Sequence, residues 1–233
     1  MGEVSSLPTS KLQINALLLD LDGTLVDSTE ALKEAGKAGF AALGLSKIRS
    51  DKIAYEVARR LEQDLLIDDL FAKSDAHREV EERFLPAYLD AYYSAVTTKS
   101  KPFPKTIETL HTLSKQVPLA LITLRYVVRE QIIDELEHLW LRKFFRVVVT
   151  ALDVEKPKPS PDALLVAARK LNVPVNECAI VGDSIVDIQA GKAAGAETVA
   201  VLSGLFRRAE LEAQRPDLML KTFADLPDYL SVS

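Results

Sequence analysis

The sequence predicts an α/β fold: a doubly wound parallel sheet with an α-helical segment inserted into it. Short apolar runs that stop at a polar residue indicate strands of a parallel sheet, since helices bury both faces of such a sheet. Segments with helix-period apolar residues separate these runs, and this alternation builds parallel sheets. Residues 28–102 interrupt the alternation with helix-forming segments alone, which indicates an insertion.

The predicted strands repeat one pattern along the chain. The first is Ile14 through Leu19, an apolar run that ends abruptly at Asp20. The later apolar runs are 118–122, 147–149, 179–181 and 198–202. The helix-period segments between and around them are 105–116, 126–139, 161–171 and 185–194. Ligands of doubly wound sheets bind at the carboxyl ends of the strands, so the polar residues there are the functional candidates.

The inserted segment begins just after the turn that follows the first strand and ends at the Pro102/Pro104 cluster. Its helix-forming stretches are 30–43, 52–67 and 75–97, with no convincing strand among them. We therefore predict a catalytic core of residues 1–27 plus 103–233 and a helical cap of residues 28–102. A lid over the carboxyl end of the first strand is the simplest interpretation of the cap.

Composition excludes several classes of partner. The net charge of −5 and the dispersed 29 Lys and Arg residues give no basic patch for nucleic acid. No apolar run is long enough to cross a bilayer, and no signal peptide is recognisable, so we expect a cytoplasmic protein without a membrane partner. The single cysteine, Cys178, is predicted to be a buried structural thiol. A monomer and a homodimer are both compatible with the sequence.

Two carboxylates follow the first strand, Asp20 and Asp22, separated by Leu21. Carboxylates held this close repel each other, which raises the pKa of one of them unless a cation neutralises the pair. One carboxylate can then act as a nucleophile while the other carries a proton. Gly23 permits the tight chain reversal that such a turn needs.

The stretch 20–28, Asp-Leu-Asp-Gly-Thr-Leu-Val-Asp-Ser, resembles the first motif of the haloacid dehalogenase-like (HAD) hydrolase superfamily. Three further motifs follow in the family's order. They are the strand-ending Thr123, the lysine motif at 156–162 and the acidic motif at 181–188. The resemblance spans residues 14–202 and is greatest to helical-cap phosphatases such as phosphoglycolate phosphatase. It implies a Rossmann-like core with the helical cap in the place where the insertion lies.

The resemblance assigns roles to individual residues. Asp20 is the expected nucleophile and Asp22 the general acid and base. Mg²⁺ is the expected cofactor, held by the carboxylates of Asp20 and Asp183 and the main-chain carbonyl of Asp22, with Asp187 completing the acidic cluster behind them. A phosphate ester is an anion, so positive charge has to offset the repulsion between it and a carboxylate nucleophile.

The predicted phosphate contacts are Thr123, Leu124 and a lysine. The pattern Lys-Pro-x-Pro fits both Lys156 and Lys158, and the spacing to the following helix favours Lys158. Many family members have asparagine after the hydroxyl residue, whereas Leu124 and Arg125 stand here. We interpret Arg125 as an exposed residue that opens the next helix, with a phosphate contact as the alternative.

The predicted function is hydrolysis of a small phosphomonoester, such as phosphoglycolate or a sugar phosphate, through an aspartyl-phosphate on Asp20. A phosphosugar mutase of the β-phosphoglucomutase kind is the alternative, although Gly182 before Asp183 resembles phosphatases more than mutases. Asp22 argues against a dehalogenase, which has no alkoxide to protonate, and a phosphonatase would need a reactive cap lysine. The alternative from a different class is a non-catalytic module that binds phosphate esters, because fold alone does not give function.

Overall fold

The structure is a computed structural model that describes residues 11–45, 56–60 and 80–232 of the 233-residue chain. The chain divides into two compact units: Met1–Leu25 with Phe103–Ser233, and Val26–Pro102. The first division lies two residues before the boundary expected from the sequence, and the second lies at the expected one. The roles of catalytic core and cap stay predictions for these two units.

The first unit is built on a sheet of six parallel strands, in the order β6-β5-β2-β7-β8-β9. Its strands are β2 (Ala16–Leu19), β5 (Leu119–Ile122), β6 (Phe145–Val149), β7 (Cys178–Gly182), β8 (Glu197–Val201) and β9 (Leu218–Leu220). From β2 the chain adds β5 and β6 on one side and then β7, β8 and β9 on the other. This reversal of strand order confirms the predicted doubly wound parallel sheet.

Helices follow the strands as the alternating pattern predicts. Those of the first unit are α3 (Thr106–Leu113), α4 (Arg129–His138), α5 (Asp162–Leu171), α6 (Ile185–Ala194) and α7 (Arg208–Ala213). Helix α5 buries its apolar stripe, which includes Leu164 and Leu171, against alternate strand residues such as Leu18 and Ile180. Both faces of β2 are fully buried, which explains why it reads as a continuous apolar run.

The predicted first strand is divided at Asn15. Strand β1 (Leu12–Ile14) pairs in parallel with β10 (Leu230–Val232) in a separate two-stranded sheet. Asn15 donates from its main chain to the Glu177 carbonyl at 2.7 Å and from its side chain to the Glu177 carboxylate at 2.7 Å. One apolar stretch of sequence therefore supplies strands to two different sheets. Apolar character alone does not show where one strand ends and the next begins.

The second unit contains helices α1 (Thr29–Ala42) and α2 (Leu85–Lys99), the latter preceded by a π-helical turn at Val80–Phe84. Helix α1 packs closely against this turn, since a Cβ on Gly39 would lie 2.6 Å from the ring of Phe84. Residues 56–60 are also helical, and the rest of the predicted helices 52–67 and 75–97 that precedes residue 80 lies outside the described residues.

One expectation for the inserted segment is wrong. Strand β4 (Lys101–Pro102) pairs antiparallel with β3 (Val26–Asp27), although no strand was expected between residues 28 and 102. Two residues are too few to produce a periodic pattern, so the sequence carries no signal for this pair. Within the described ranges, the helices are too short or too polar to span a bilayer.

Candidate active site

The candidate site lies at the carboxyl end of the central strand β2. Leu19, the last residue of β2, is paired with Leu121 of β5 and with Val181 of β7. The next residue, Asp20, donates its main-chain N–H to the Val181 carbonyl at 3.0 Å. Asp20 therefore leaves the sheet where the strand order reverses, and this is the position at which doubly wound folds bind ligands.

The lysine that reaches Asp20 is Lys158. Its Nζ lies 2.7 Å from Asp20 Oδ1 and 2.5 Å from Asp187 Oδ1. Lys158 is buried, whereas Lys156, the other lysine that fits the sequence pattern, is exposed. Burial disfavours the charge on Lys158, but the carboxylates of Asp187 and Asp20 outweigh that effect and hold its pKa well above its ordinary value.

Three buried carboxylates converge around this lysine. Oxygen atoms of Asp20, Asp183 and Asp187 lie within 4.8 Å of one another. Burial raises the pKa of Asp20 to about 7, and the neighbouring carboxylates of Asp187 and Asp22 add to that increase while Lys158 opposes it. One ammonium group cannot neutralise three carboxylates, so the cluster retains negative charge that a divalent cation with a preference for oxygen ligands would neutralise. The residues present therefore fit a metal ion.

Asp187 is fixed by the start of helix α6. Its Oδ2 accepts hydrogen bonds from the Ser184 main-chain N–H at 3.2 Å and from the Ser184 hydroxyl at 2.7 Å. The Asp187 main-chain N–H in turn lies 3.4 Å from the Ser184 hydroxyl, which completes a reciprocal cap. Gly182 allows this packing, because a Cβ there would lie 2.2 Å from the Asp187 carboxyl carbon.

Asp183 is held by residues that the sequence analysis did not identify. Thr24 donates its hydroxyl to Asp183 Oδ1 at 3.1 Å, and the Leu205 main-chain N–H lies 3.3 Å from Oδ2. Gly204 is closest of all, since a Cβ there would lie 1.6 Å from Asp183 Oδ2. The loop that carries Gly204 follows β8, so the rule that ligands bind at carboxyl ends of strands could have pointed to it.

We expect the substitution Gly204→Ala to lower the affinity for a divalent metal ion by about 10- to 100-fold, the range typical for loss of a group that orients a metal ligand. The added methyl group would have to displace the Asp183 carboxylate. Calorimetric titration with Mg²⁺ measures this directly. Gly195→Ala is the matched control: nothing lies within 4 Å of its added Cβ, so its left-handed backbone (φ +77°) should cost stability alone. Equal Mg²⁺ affinity in both variants and the wild type would contradict the prediction.

Asp22 is held by an arginine. Arg125 donates from Nε to Asp22 Oδ2 and from Nη2 to Asp22 Oδ1, each at 2.7 Å, and its third nitrogen, Nη1, donates to Glu135. Arg125 is only 5% exposed, so the expectation that it opens a helix in solvent is wrong. Sequence reasoning missed it because Glu135, its buried partner, lies on α4 ten residues further along the chain.

Thr123 directly follows the neighbouring strand β5 and is buried, and Leu124 after it is partly buried. The Thr123 main-chain N–H donates to the Val149 carbonyl at 3.0 Å, and its hydroxyl oxygen accepts from the Arg125 main-chain N–H at 3.2 Å. A hydroxyl that accepts one hydrogen bond can still donate another, as a phosphate contact requires. The phosphate-binding role of both residues stays a prediction.

An α/β sheet with an acidic cluster and a lysine at its switch point is the architecture of a family of hydrolases, and a direct comparison of sequences identifies that family. The sequence model described as haloacid dehalogenase-like hydrolase matches residues 17–201. The chain therefore belongs to the haloacid dehalogenase-like hydrolase family, and the predicted family membership is confirmed.

Relatives of two kinds indicate which class of hydrolase the chain belongs to. A phosphoglycolate phosphatase of Escherichia coli is 31% identical, covering 91% of each chain. The pyrophosphatase PpaX of Bacillus cereus is 32% identical, covering 94% of this chain and 98% of its own. A solved structure of a haloacid dehalogenase-like hydrolase from Streptococcus pneumoniae, 24% identical, has the same fold with a TM-score of 0.78 over 93% of this chain and 98% of its own. The predicted enzyme class, a phosphatase of this family, is confirmed.

Proposed function

We propose that this phosphatase is Mg²⁺-dependent and hydrolyses a small phosphomonoester through a covalent aspartyl-phosphate on Asp20. The observation that carries the proposal is the buried group formed by Asp20, Lys158 and the two further aspartates, Asp183 and Asp187. It combines a carboxylate nucleophile with the positive charge that an anionic phosphate needs beside it.

The carboxylates of Asp20 and Asp183, with the main-chain carbonyl of Asp22, would hold the ion. Bound Mg²⁺ supplies positive charge that offsets the repulsion between the substrate phosphate and the nucleophile. Asp187 does not need to be a ligand in this scheme. It accepts from Lys158 and Ser184, so it orients the lysine and adds to the negative charge that favours a cation.

In the first half-reaction a carboxylate oxygen of Asp20 attacks phosphorus, and the bond from phosphorus to the ester oxygen breaks. Asp22 donates its proton to the departing oxygen, which leaves as the alcohol. The Lys158 ammonium, bound to Asp20, and the Thr123 hydroxyl stabilise the charge on the phosphoryl oxygens during transfer.

In the second half-reaction Asp22, now ionised, accepts a proton from a water molecule as that water attacks phosphorus. The bond between phosphorus and Asp20 breaks, and inorganic phosphate leaves. One residue thus serves as acid and then as base, and the enzyme returns to its initial protonation state.

The relatives support a small substrate that carries a terminal phosphoryl group. They include proteins named for phosphoglycolate and a pyrophosphatase, and we propose a phosphomonoester of the size of phosphoglycolate or a sugar phosphate. The crowding at Gly182 favours a phosphatase over the mutase alternative. Mutases tend to have an acidic side chain there, and here a Cβ would collide with Asp187.

Removal of metal tests the proposal. We expect purified protein treated with EDTA to lose hydrolysis of p-nitrophenyl phosphate and of a panel of small phosphate esters, and we expect added Mg²⁺ to restore it. Ca²⁺ is the matched control ion, because its longer bonds and flexible coordination suit this chemistry poorly. Turnover that survives EDTA would contradict the metal dependence. A folded wild type that binds esters without hydrolysing any would favour the mutase or the non-catalytic module.

A further inference from the structure

Arg125 is fixed in place from several directions. Its main-chain N–H donates to the Thr123 hydroxyl at 3.2 Å, and its main-chain carbonyl accepts from the Ala151 N–H at 3.2 Å. Its guanidinium contacts Glu135, which is only 4% exposed. The main-chain contacts fix the start of the Arg125 side chain, and Glu135 fixes one nitrogen of the guanidinium. The planar guanidinium therefore has little freedom to rotate.

The other two nitrogens of this guanidinium donate hydrogen bonds to the two carboxylate oxygens of Asp22, each at 2.7 Å. A bidentate contact of this kind fixes the plane of a carboxylate as well as its position. The Asp22 side chain is 19% exposed, and a group that transfers a proton to a leaving group has to be held in one orientation.

Glu135 has a further unusual feature. Among the residues that the structure describes, none makes a hydrogen bond to its buried Oε1. Burial raises the pKa of Glu135, against the lowering by Arg125. A buried carboxylate with one unbonded oxygen is costly to stability. The other oxygen of this carboxylate contacts Arg125, so Glu135 is placed to hold the guanidinium.

We propose that Arg125, anchored by Glu135, is a positioning residue that fixes the Asp22 carboxylate for proton transfer to the leaving group. This inference rests on the proposed function, in which Asp22 is the general acid and base. If Arg125 instead bound the substrate, its substitution would weaken substrate affinity. If it formed a purely structural ion pair, its substitution would lower the stability of the fold and leave kcat unchanged.

The leaving group distinguishes these roles. An alkyl phosphate needs a proton on its departing alkoxide, whereas p-nitrophenolate leaves readily without one. We expect Arg125→Met to lower kcat for an alkyl phosphomonoester by about 100-fold, as for misplacement of a catalytic group, and kcat for p-nitrophenyl phosphate by less than about 10-fold. KM should change little for either substrate. Arg125→Lys should restore the ratio only in part, because an ammonium group cannot form the two parallel contacts.

Arg129→Met is the matched control. Arg129 pairs with Asp153 near the same edge of the sheet, through contacts that include Nε to Oδ2 at 3.3 Å, and should leave the ratio of the two kcat values unchanged. For the anchor, Glu135→Gln should shift the ratio in the same direction as Arg125→Met, and Glu137→Gln, an exposed neighbour on α4, should not. Equal losses on both substrates in Arg125→Met, or a rise in KM alone, would overturn the inference.

Crystal structures of the wild type and Arg125→Met give a readout that does not depend on turnover. We expect the Asp22 carboxylate in the variant to move by about 1 Å or more, the scale at which misplacement matters, or to lose its defined position. An Asp22 carboxylate that keeps its place without Arg125 would overturn the inference. If the wild type hydrolyses no ester, the proposed function fails, and these two structures still decide whether Arg125 positions Asp22.

Discussion

Substitution of Asp20 by asparagine is expected to lower turnover of every phosphate ester that the wild type hydrolyses by on the order of 10⁴-fold or more, the scale seen when a covalent nucleophile is removed. The amide is nearly the same size as the carboxylate but is not a nucleophile for phosphorus. The fold should survive, because Lys158 keeps its contact with Asp187 at 2.5 Å and the cluster loses one of its mutually repelling charges.

The measurement compares kcat of Asp20→Asn with that of Asp134→Asn, an exposed aspartate on α4 that should behave as the wild type. Circular dichroism establishes that each variant is folded. Acid-quenched wild type should carry phosphoryl label from substrate on an aspartate, and Asp20→Asn should carry none. Substantial turnover by a folded Asp20→Asn, or label retained on it, would show that another group is the nucleophile.

Most of the sheet could be predicted because its strands are buried on both faces. In β2, β5 and β7 every residue is apolar or small, and each run stops at the polar residue that leaves the sheet. Strands β9 and β10 went unpredicted, since three residues are too few for a periodic pattern to emerge. The division of the first run at Asn15 depends on Glu177, a partner 162 residues away, and no local pattern reports such a contact.

The acidic cluster could be predicted because Asp20 and Asp183 directly follow strands and Asp187 lies in the first turn of the next helix. The groups that orient them could not. A Cβ on Gly204 would collide with Asp183, so only glycine fits there without displacing the carboxylate. The two residues come together because β8 pairs with β7, and the sequence does not show that pairing. Arg125 resembles a surface arginine in the sequence, because nothing near it in the chain marks its carboxylate partners, Asp22 and Glu135. The pattern Lys-Pro-x-Pro fits two lysines, and the contact with Asp20 shows that the one which the spacing favours, Lys158, reaches the site.

The substitution Lys158→Met is expected to lower turnover by about 10³-fold, since a preorganised charge that stabilises a transition state commonly contributes on this scale. Methionine fills similar space but removes the ammonium from between Asp20 and Asp187. Without Mg²⁺, the free energy of unfolding of the variant should be lower than that of the wild type by roughly 3–5 kcal/mol, the usual cost of leaving a buried charge unpaired. Added Mg²⁺ should raise the Tm of the variant more than that of the wild type, because the cluster then has more charge to neutralise.

Lys156→Met is the matched control, because Lys156 fits the same sequence pattern but is exposed. It should leave kcat, Tm and the response to Mg²⁺ at wild-type values. The reverse result, a large loss of turnover in Lys156→Met with Lys158→Met active, would mean that the buried lysine is a structural counter-ion and that the phosphate lysine is the exposed one. Thermal unfolding with and without Mg²⁺ separates a structural loss from a catalytic one, since a counter-ion alone would affect Tm without affecting kcat of the folded fraction.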